Sequence, residues 1–283
     1  MFKKNLHAYK YFNLQKNLNR YTNIYKKENF EKDYPANKYR LLLVKKIIKN
    51  YKIKSILDVG CGTGQPMVSF LKDGYNIHGY DKAINMIELG KKNLLKNKFK
   101  PERIFFDNMD KPKNVDKKFD CIIGLGSFYY ANNMISSLKN NLKYLKKGGL
   151  IVFSLRNMLF NISTFNNYSK KFFEDLYKIK NYNPKYKKKF QKFFKGYQKK
   201  NDYNIDKARV KSIVNNPLNI HDEIIKKTGI KLINLHYYHN HALPPCFEKF
   251  NKNFFRIKSS KMELKNNWKS IFLSSAFIVE AKK

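Results

Sequence analysis

The residues best suited to chemistry concentrate in one octet, Leu57-Asp58-Val59-Gly60-Cys61-Gly62-Thr63-Gly64. Glycines at alternate positions permit a tight turn and let backbone press against a ligand. Asp81 follows Gly64 by 17 residues, and Asp107 stands in Phe105-Phe106-Asp107-Asn108-Met109. In a doubly wound sheet, a carboxylate closing the second strand overlooks the ligand crevice and can accept both hydroxyls of a ribose. The dinucleotide pattern G-x-G-x-x-G fails in both registers. Counting from Gly60 puts Gln65 at the third glycine, and counting from Gly62 puts Met67 there. Asp58 would sit badly beside a pyrophosphate and well beside a cationic ligand. Cys61 reads as a small buried filler of the turn.

A second group lies late in the chain. Three of its six histidines, His236, His239 and His241, fall within Leu235–Pro245. Strand alternation places His239 and His241 on one face and His236 on the other, which argues against a shared metal. A two-His site completed by Glu248 matches no strong signature, so no metal is expected. A neutral imidazole there could take a proton from a hydroxyl; hydrogen-bonded structural histidines are the plainer reading. Arg156 and Asn157 stand just past a strand's carboxyl end, the functional rim of such sheets. Arg156 could pair with an anionic acceptor or make a surface salt bridge, and Asn157 could orient a hydroxyl or cap a helix. Tyr129, after Gly124-Leu125-Gly126-Ser127-Phe128, completes the candidate catalytic set with these groups.

Positioning these residues requires a repeating strand–helix frame. Residues 38–50 carry Leu41, Leu42, Val44 and Ile48 at helical spacing, and 54–60 is a short apolar run ending in the glycines. Helix is expected at 65–72, 84–97 and 134–146, and strand at 75–81, 103–106, 119–125, 150–154, 231–238 and 270–281. Alternation at this pace implies a mostly parallel sheet covered on both faces. Residues 1–34 lack a clean period and read as a helical or irregular lid. In 170–200, Phe172, Phe173, Leu176 and Tyr177, then Phe190, Phe193, Phe194 and Tyr197, recur at helical spacing among twelve lysines. That is an amphipathic helical pair with lysines facing water. The expected division is 1–49, N-terminal lid and first helices; 50–155, cofactor-binding half; 156–229, cap insertion; 230–283, strands completing the core.

The chain has 283 residues, 59 Lys plus Arg against 21 Asp plus Glu, and a formal net charge of +38. Such a field attracts polyanions. The 35 Asn, abundant Lys, Ile, Phe and Tyr, and 12 Gly instead fit AT-rich codon usage, and Arg, the better reader of phosphates and bases, is scarce. Nucleic acid is therefore not the expected partner. Three scattered cysteines suit neither a disulfide framework nor a thiolate metal site. No run of about 18 uncharged apolar residues appears and no apolar signal core opens the chain, so the expected compartment is the cytoplasm. Oligomeric state is left open.

The octet LDVGCGTG resembles the first motif of the class I S-adenosylmethionine-dependent methyltransferases. The resemblance implies an α/β fold: a Rossmann-like doubly wound, seven-stranded, mostly parallel sheet with its last strand antiparallel, plus a helical cap insertion. It implies S-adenosylmethionine as cofactor and S-adenosylhomocysteine as product. Asp58, Gly60, Cys61, Gly62 and Gly64 would surround the methionyl part, with Gln65 beside them. Asp81, followed by Lys82, would take the ribose hydroxyls, and Met86 would pack near the adenine. Asp107 would bond the adenine amino group, with Asn108 and Met109 lining the ring. Leu125 and Gly126 would stand where cofactor meets substrate. The resemblance covers 50–155 and 230–281. The marks of several macromolecular subclasses are missing: no Asn/Asp-Pro-Pro-Tyr/Phe after the fourth strand, no Pro-Cys there, and no glutamate pair to clamp an arginine. YPANKYRLLLV and FSLRNMLFN are similar to segments of small-substrate members. The expectation is methylation of a small polar metabolite, with a hydroxyl of a sugar or related compound preferred and an anionic acceptor following if Arg156 pairs with it. The alternatives are a small-molecule N-methyltransferase, an RNA or DNA methyltransferase, and a non-catalytic cofactor-binding protein.

Overall fold

The computed structural model describes residues 7–14, 18, 21, 35–200, 212–248, 250–263, 265 and 267–283, without the side chains of 196–200. Strands form where apolar runs end at glycine or acid: β1 (Ser55–Val59), β2 (Asn76–Asp81), β3 (Ile104–Phe106) and β4 (Phe119–Gly124). They are followed by β5 (Leu145–Asn157), a two-residue β6 (Val214–Asn215), β7 (Lys231–Asn240) and β8 (Ser274–Lys282). The sheet order is β3-β2-β1-β4-β5-β8-β7. β1 pairs in parallel with β2 and β4, β3 with β2, and β5 with β4. β8 runs antiparallel to both β5 and β7. The carboxyl ends of β1, β2, β4, β5 and β7 therefore share one edge, and the order reverses between β1 and β4, where a crevice must open.

β1, β4 and β5 are buried on both faces, which is why they read as continuous apolar runs. One face is covered by α2 (Ala36–Lys49), α3 (Gln65–Lys72) and α4 (Ile84–Lys96), through Val44, Ile48, Met67, Phe70 and Leu94. The other is covered by α5 (Met134–Leu142) and a helical stretch from His221, through Leu138, Leu142, Ile224 and Ile225. A five-residue helix α1 (Ala8–Phe12) lies ahead of them. Beyond β5 come α6 (Asn167–Leu176) and α7 (Pro184–Lys200), and beyond β7 comes α8 (Lys252–Met262).

The expected frame appears, with three local departures. The helix at 134–146 stops at Leu142, because pairing of β5 already begins at Leu145 opposite Phe119; the Gly148-Gly149 step is an irregularity inside the strand. The run at 270–281 begins as a helical turn, Ser270–Leu273, since a short apolar run does not itself distinguish helix from strand. An eighth strand, β6, pairs with Arg156 and Asn157, two residues too short to leave a pattern. The stretch 156–229 also is not uniform: Ile220, Ile224 and Ile225 belong to the sheet's core. The helical pair at 170–200 forms, with Phe173 and Phe194 in contact at 6.2 Å and Phe172 and Phe194 buried. Tyr197, and most of 1–34, lie outside the described residues.

Candidate functional site

The glycine turn hangs from the end of β2. Gly60 and Cys61 N–H groups both donate to the Tyr80 carbonyl, at 2.9 and 3.0 Å. Gly60, Gly62 and Gly64 take φ of +74°, +53° and +67°, the left-handed region that costs other residues about 1–2 kcal/mol. A Cβ on Gly60 would lie 2.5 Å from Ser127 Cβ, whereas one on Gly62 would meet open space. Asp81 holds the turn in place: Oδ2 accepts from Gly62 N–H and Oδ1 from Ala83 N–H, both at 2.9 Å. Burial raises its pKa, against the opposing pull of these backbone donors.

Beside the turn is a cavity of about 330 Å³. It is lined by Asp58, Gly60, Cys61, Gly62, Asp81, Lys82, Met86, Asp107, Asn108, Met109, Leu125 and Gly126, the whole expected cofactor-side set except Gly64 and Gln65. Those two sit one step further on, Gly64 as the N-cap of α3 and Gln65 as its first residue. Asp58 is 1% exposed and its Oδ2 accepts no hydrogen bond. Burial raises its pKa to about 7, with Arg40 opposing and Asp81 adding to the rise. Asp107 is spent differently. Its carboxylate accepts from the backbone of Asn108, Lys113 (both oxygens) and Asn114, at 2.7–3.1 Å, filling its acceptor sites and fixing the loop that carries Asn108 and Met109.

Another part of the lining holds a guanidinium packed against two adjacent rings. Arg156 lies 5.0 Å from the Tyr129 ring and 5.8 Å from the Tyr130 ring, and donates to Tyr130 Oη at 3.2 Å. All three line the cavity. Arg40, on α2, comes close to Tyr129: its Nη1 is 2.8 Å from where a Gly126 Cβ would be, and Tyr129 Oη is 3.1 Å from the same point. It also bonds Tyr238. Residues of the N-terminal segment close the top. Phe12 packs on Tyr130 at 5.4 Å, Asn85 bonds Asn13, and Leu18 joins Ala83 and Met86 in a small apolar cluster.

Arg40 was not singled out as a site residue in the sequence, whereas the N-terminal segment was expected as a lid and Ser127 belongs to the Leu125–Phe128 run after the fourth strand. A signal existed for Arg40: it precedes the buried Leu43, Val44 and Ile47 by three, four and seven residues, a charge on the apolar stripe of its helix. Ser127 carries a buried Oγ with no partner at the cavity wall, a property visible only in the fold.

The remaining expected residues lie outside the cavity lining. Asn157 is 2% exposed and donates to the carbonyls of Ile271 (2.6 Å) and Ser274 (2.8 Å) while accepting from Leu159 N–H. His236 pairs with Glu280 at 2.5 Å, apart from the other two histidines. The rings of His239 and His241 are 4.6 Å apart, as alternation implied. His239 has φ +60° and bonds Ser275 at 2.7 Å; burial lowers its pKa well below the usual value. His241 Nδ1 pairs with Glu248. Burial pushes that imidazole down and the carboxyl up, both toward the neutral form. Among the described residues, no cluster of three His, Cys, Asp or Glu could hold a metal ion.

Sheet order, glycine turn, strand-end acid and cavity together define the Rossmann-like class of S-adenosylmethionine-dependent methyltransferases. The methyltransferase-domain family model matches residues 25–194, and the chain belongs to that family. It is 31% identical over 132 residues to the ubiquinone biosynthesis O-methyltransferase of Pelagibacter ubique (strain HTCC1062), covering 43% of this chain and 54% of that protein. The chain thus spans about half the length of that curated relative. Solved structures share its fold. An S-adenosylmethionine-dependent methyltransferase of Thermotoga maritima, described as a possible histamine N-methyltransferase, superposes with TM-score 0.56 at 14% identity, covering 98% of this chain and 100% of that one. The magnesium protoporphyrin IX methyltransferase of Synechocystis PCC 6803, with bound S-adenosylhomocysteine, gives 0.56 at 12% identity, covering 98% and 97%. The cavity fits the family's cofactor by its own chemistry. The buried carboxylate of Asp58, whose Oδ2 accepts no hydrogen bond, suits an ammonium, and Gly62 leaves room for close approach. No helix among the described residues is long and apolar enough to cross a membrane.

Proposed function

We propose that this protein methylates a small, anionic, hydroxylated metabolite, a sugar acid or phosphorylated sugar being the preferred class. The observation that carries this reading is Arg156, which lines the cavity with its guanidinium against the adjacent Tyr129 and Tyr130 rings, 5.0 and 5.8 Å from their centres. When bound, S-adenosylmethionine supplies an electrophilic methyl group for in-line displacement. The chain's own residues bind and align. Asp58 and Arg40, neighbours of opposite charge, match the ammonium and carboxylate of the donor's amino-acid end. Asp81 takes the ribose hydroxyls, and Met86, Asn108 and Met109 border the base. Asp107 serves them by fixing their loop.

On the acceptor side, Arg156 holds the anionic group and Tyr129 Oη orients the hydroxyl, the alignment on which transfer depends. His236, His239, His241 and Asn157 have structural roles outside the cavity lining in this reading. The N-terminal segment, with Tyr9, Phe12 and Tyr21 on the lining, closes over the cavity, and α6 and α7 belong to the same cap in this reading. The O-methyltransferase relative supports oxygen as the acceptor atom. The test is a thermal-shift screen of sugar acids, sugar phosphates and neutral sugars on the protein saturated with S-adenosylhomocysteine. Anionic compounds should stabilise the native protein, and Arg156→Gln should weaken them 10- to 100-fold, the range for a hydrogen bond to a charged group. Preference for neutral sugars, or an unchanged response in the variant, would refute the assignment.

A further inference from the structure

The large apolar side chains left exposed are not evenly scattered: many fall within 176–193 and 247–272. Both segments leave the sheet at the edge that carries the cavity, the first after β5 and the second after β7. In the second, α8 buries Phe255 and Ser259 and turns Phe254 and Ile257 outward, 43% and 48% exposed. Phe254, Ile257, Lys258 and Lys261 recur at three- and four-residue spacing, one continuous outer stripe. Lys258 Nζ lies 5.7 Å over the Phe254 ring. Trp268 is 69% exposed with Lys269 Nζ at 5.9 Å, and the rings of Phe247 and Phe250 are 6.3 Å apart.

The charges here have one sign. Lys252, Lys258, Lys261, Lys265 and Lys269 are exposed. The two described acids turn inward, Glu248 to His241 and Glu263 to the Asn240 backbone at 2.7 Å. An ordinary solvated helix would bury its Phe and Ile and mix its signs. Rings and an aliphatic side chain with lysine stems laid across them are the composition that sits at lipid headgroup level. We propose that the surface formed by α8 and Trp268 docks on anionic phospholipid bilayers, bringing the cavity edge to the membrane. This does not depend on the identity of the acceptor.

Trp268 is the chain's single tryptophan and reports on the surface directly. The full chain is titrated with phosphatidylcholine vesicles, with and without 30% phosphatidylglycerol, following Trp emission and co-sedimentation. A blue shift and sedimentation with the anionic vesicles only, both reduced by salt, are expected. Lys258→Ala with Lys261→Ala should weaken partitioning about tenfold or more while circular dichroism stays unchanged; Phe254→Ser with Ile257→Ser should remove the blue shift. No shift on anionic vesicles, insensitivity to the lysine variants, or tighter binding to an oligonucleotide would overturn the proposal. So would a shift that follows protein concentration without vesicles, the mark of self-association.

Discussion

Gly60 and Ser127 meet where the sheet changes direction: a Cβ on Gly60 would come within 2.5 Å of Ser127 Cβ. The ends of β1 and β4 close together only because Gly60 has no side chain. Gly60→Ala combines a φ of +74° with overpacking, so a loss of about 2–4 kcal/mol is expected by denaturant unfolding. Gly62→Ala has the φ cost but no clash. Its stability should fall by only about 1–2 kcal/mol, with a larger loss of S-adenosylhomocysteine affinity. Equal effects at the two positions would contradict this division.

Asp81 accepts from both sides of the turn and faces the cavity. Replacement by Ala is expected to weaken cofactor binding by about 1–3 kcal/mol, read by calorimetry on folded protein. Unchanged affinity would remove Asp81 from the binding site.

The Asp58 carboxyl, raised to about 7 by burial, gives a pH dependence of definite sign. In the free protein it binds its proton more tightly than in the unfolded chain. Its contribution to stability is therefore full below the ordinary carboxylate pKa near 4 and is lost as pH rises through about 7. A cationic ligand favours the ionised form. Affinity for S-adenosylhomocysteine should then rise with pH below about 7, by up to tenfold per unit, and level off above it. Asp58→Asn should flatten that slope; a slope that survives the substitution belongs to another group.

His241 is flanked by Phe160 and Phe255 at 4.4 and 5.6 Å and pairs with Glu248. His241→Ala leaves a void and an unpartnered carboxyl, and a loss of about 2–4 kcal/mol is expected in unfolding experiments. Turnover per folded molecule should change less than tenfold. A hundredfold loss of turnover with intact stability would return the histidines to the chemistry.

Much of this was legible in the sequence because local signals agreed. Parallel strands buried on both faces betray themselves as apolar runs, and a glycine turn needs its glycines wherever the rest of the chain goes. Asp58, Asp81, Met86, Tyr129 and Arg156, all expected at the site, line one cavity. Proximity across the fold was not legible. The histidine cluster suggested chemistry by density alone, yet none of its three members lines the cavity, whereas Arg40, on a helix about two hundred residues earlier, does. Asp107 has the right position, but its acceptor sites go to a loop whose geometry only the structure reveals.

The most direct test of the account is transfer of a labelled methyl group from S-adenosylmethionine into host extract separated by size into metabolites, nucleic acid and protein. The account predicts label in the metabolite fraction, retained by an anion-exchange resin and reduced at least tenfold by Arg156→Gln. Label confined to nucleic acid or protein would contradict it.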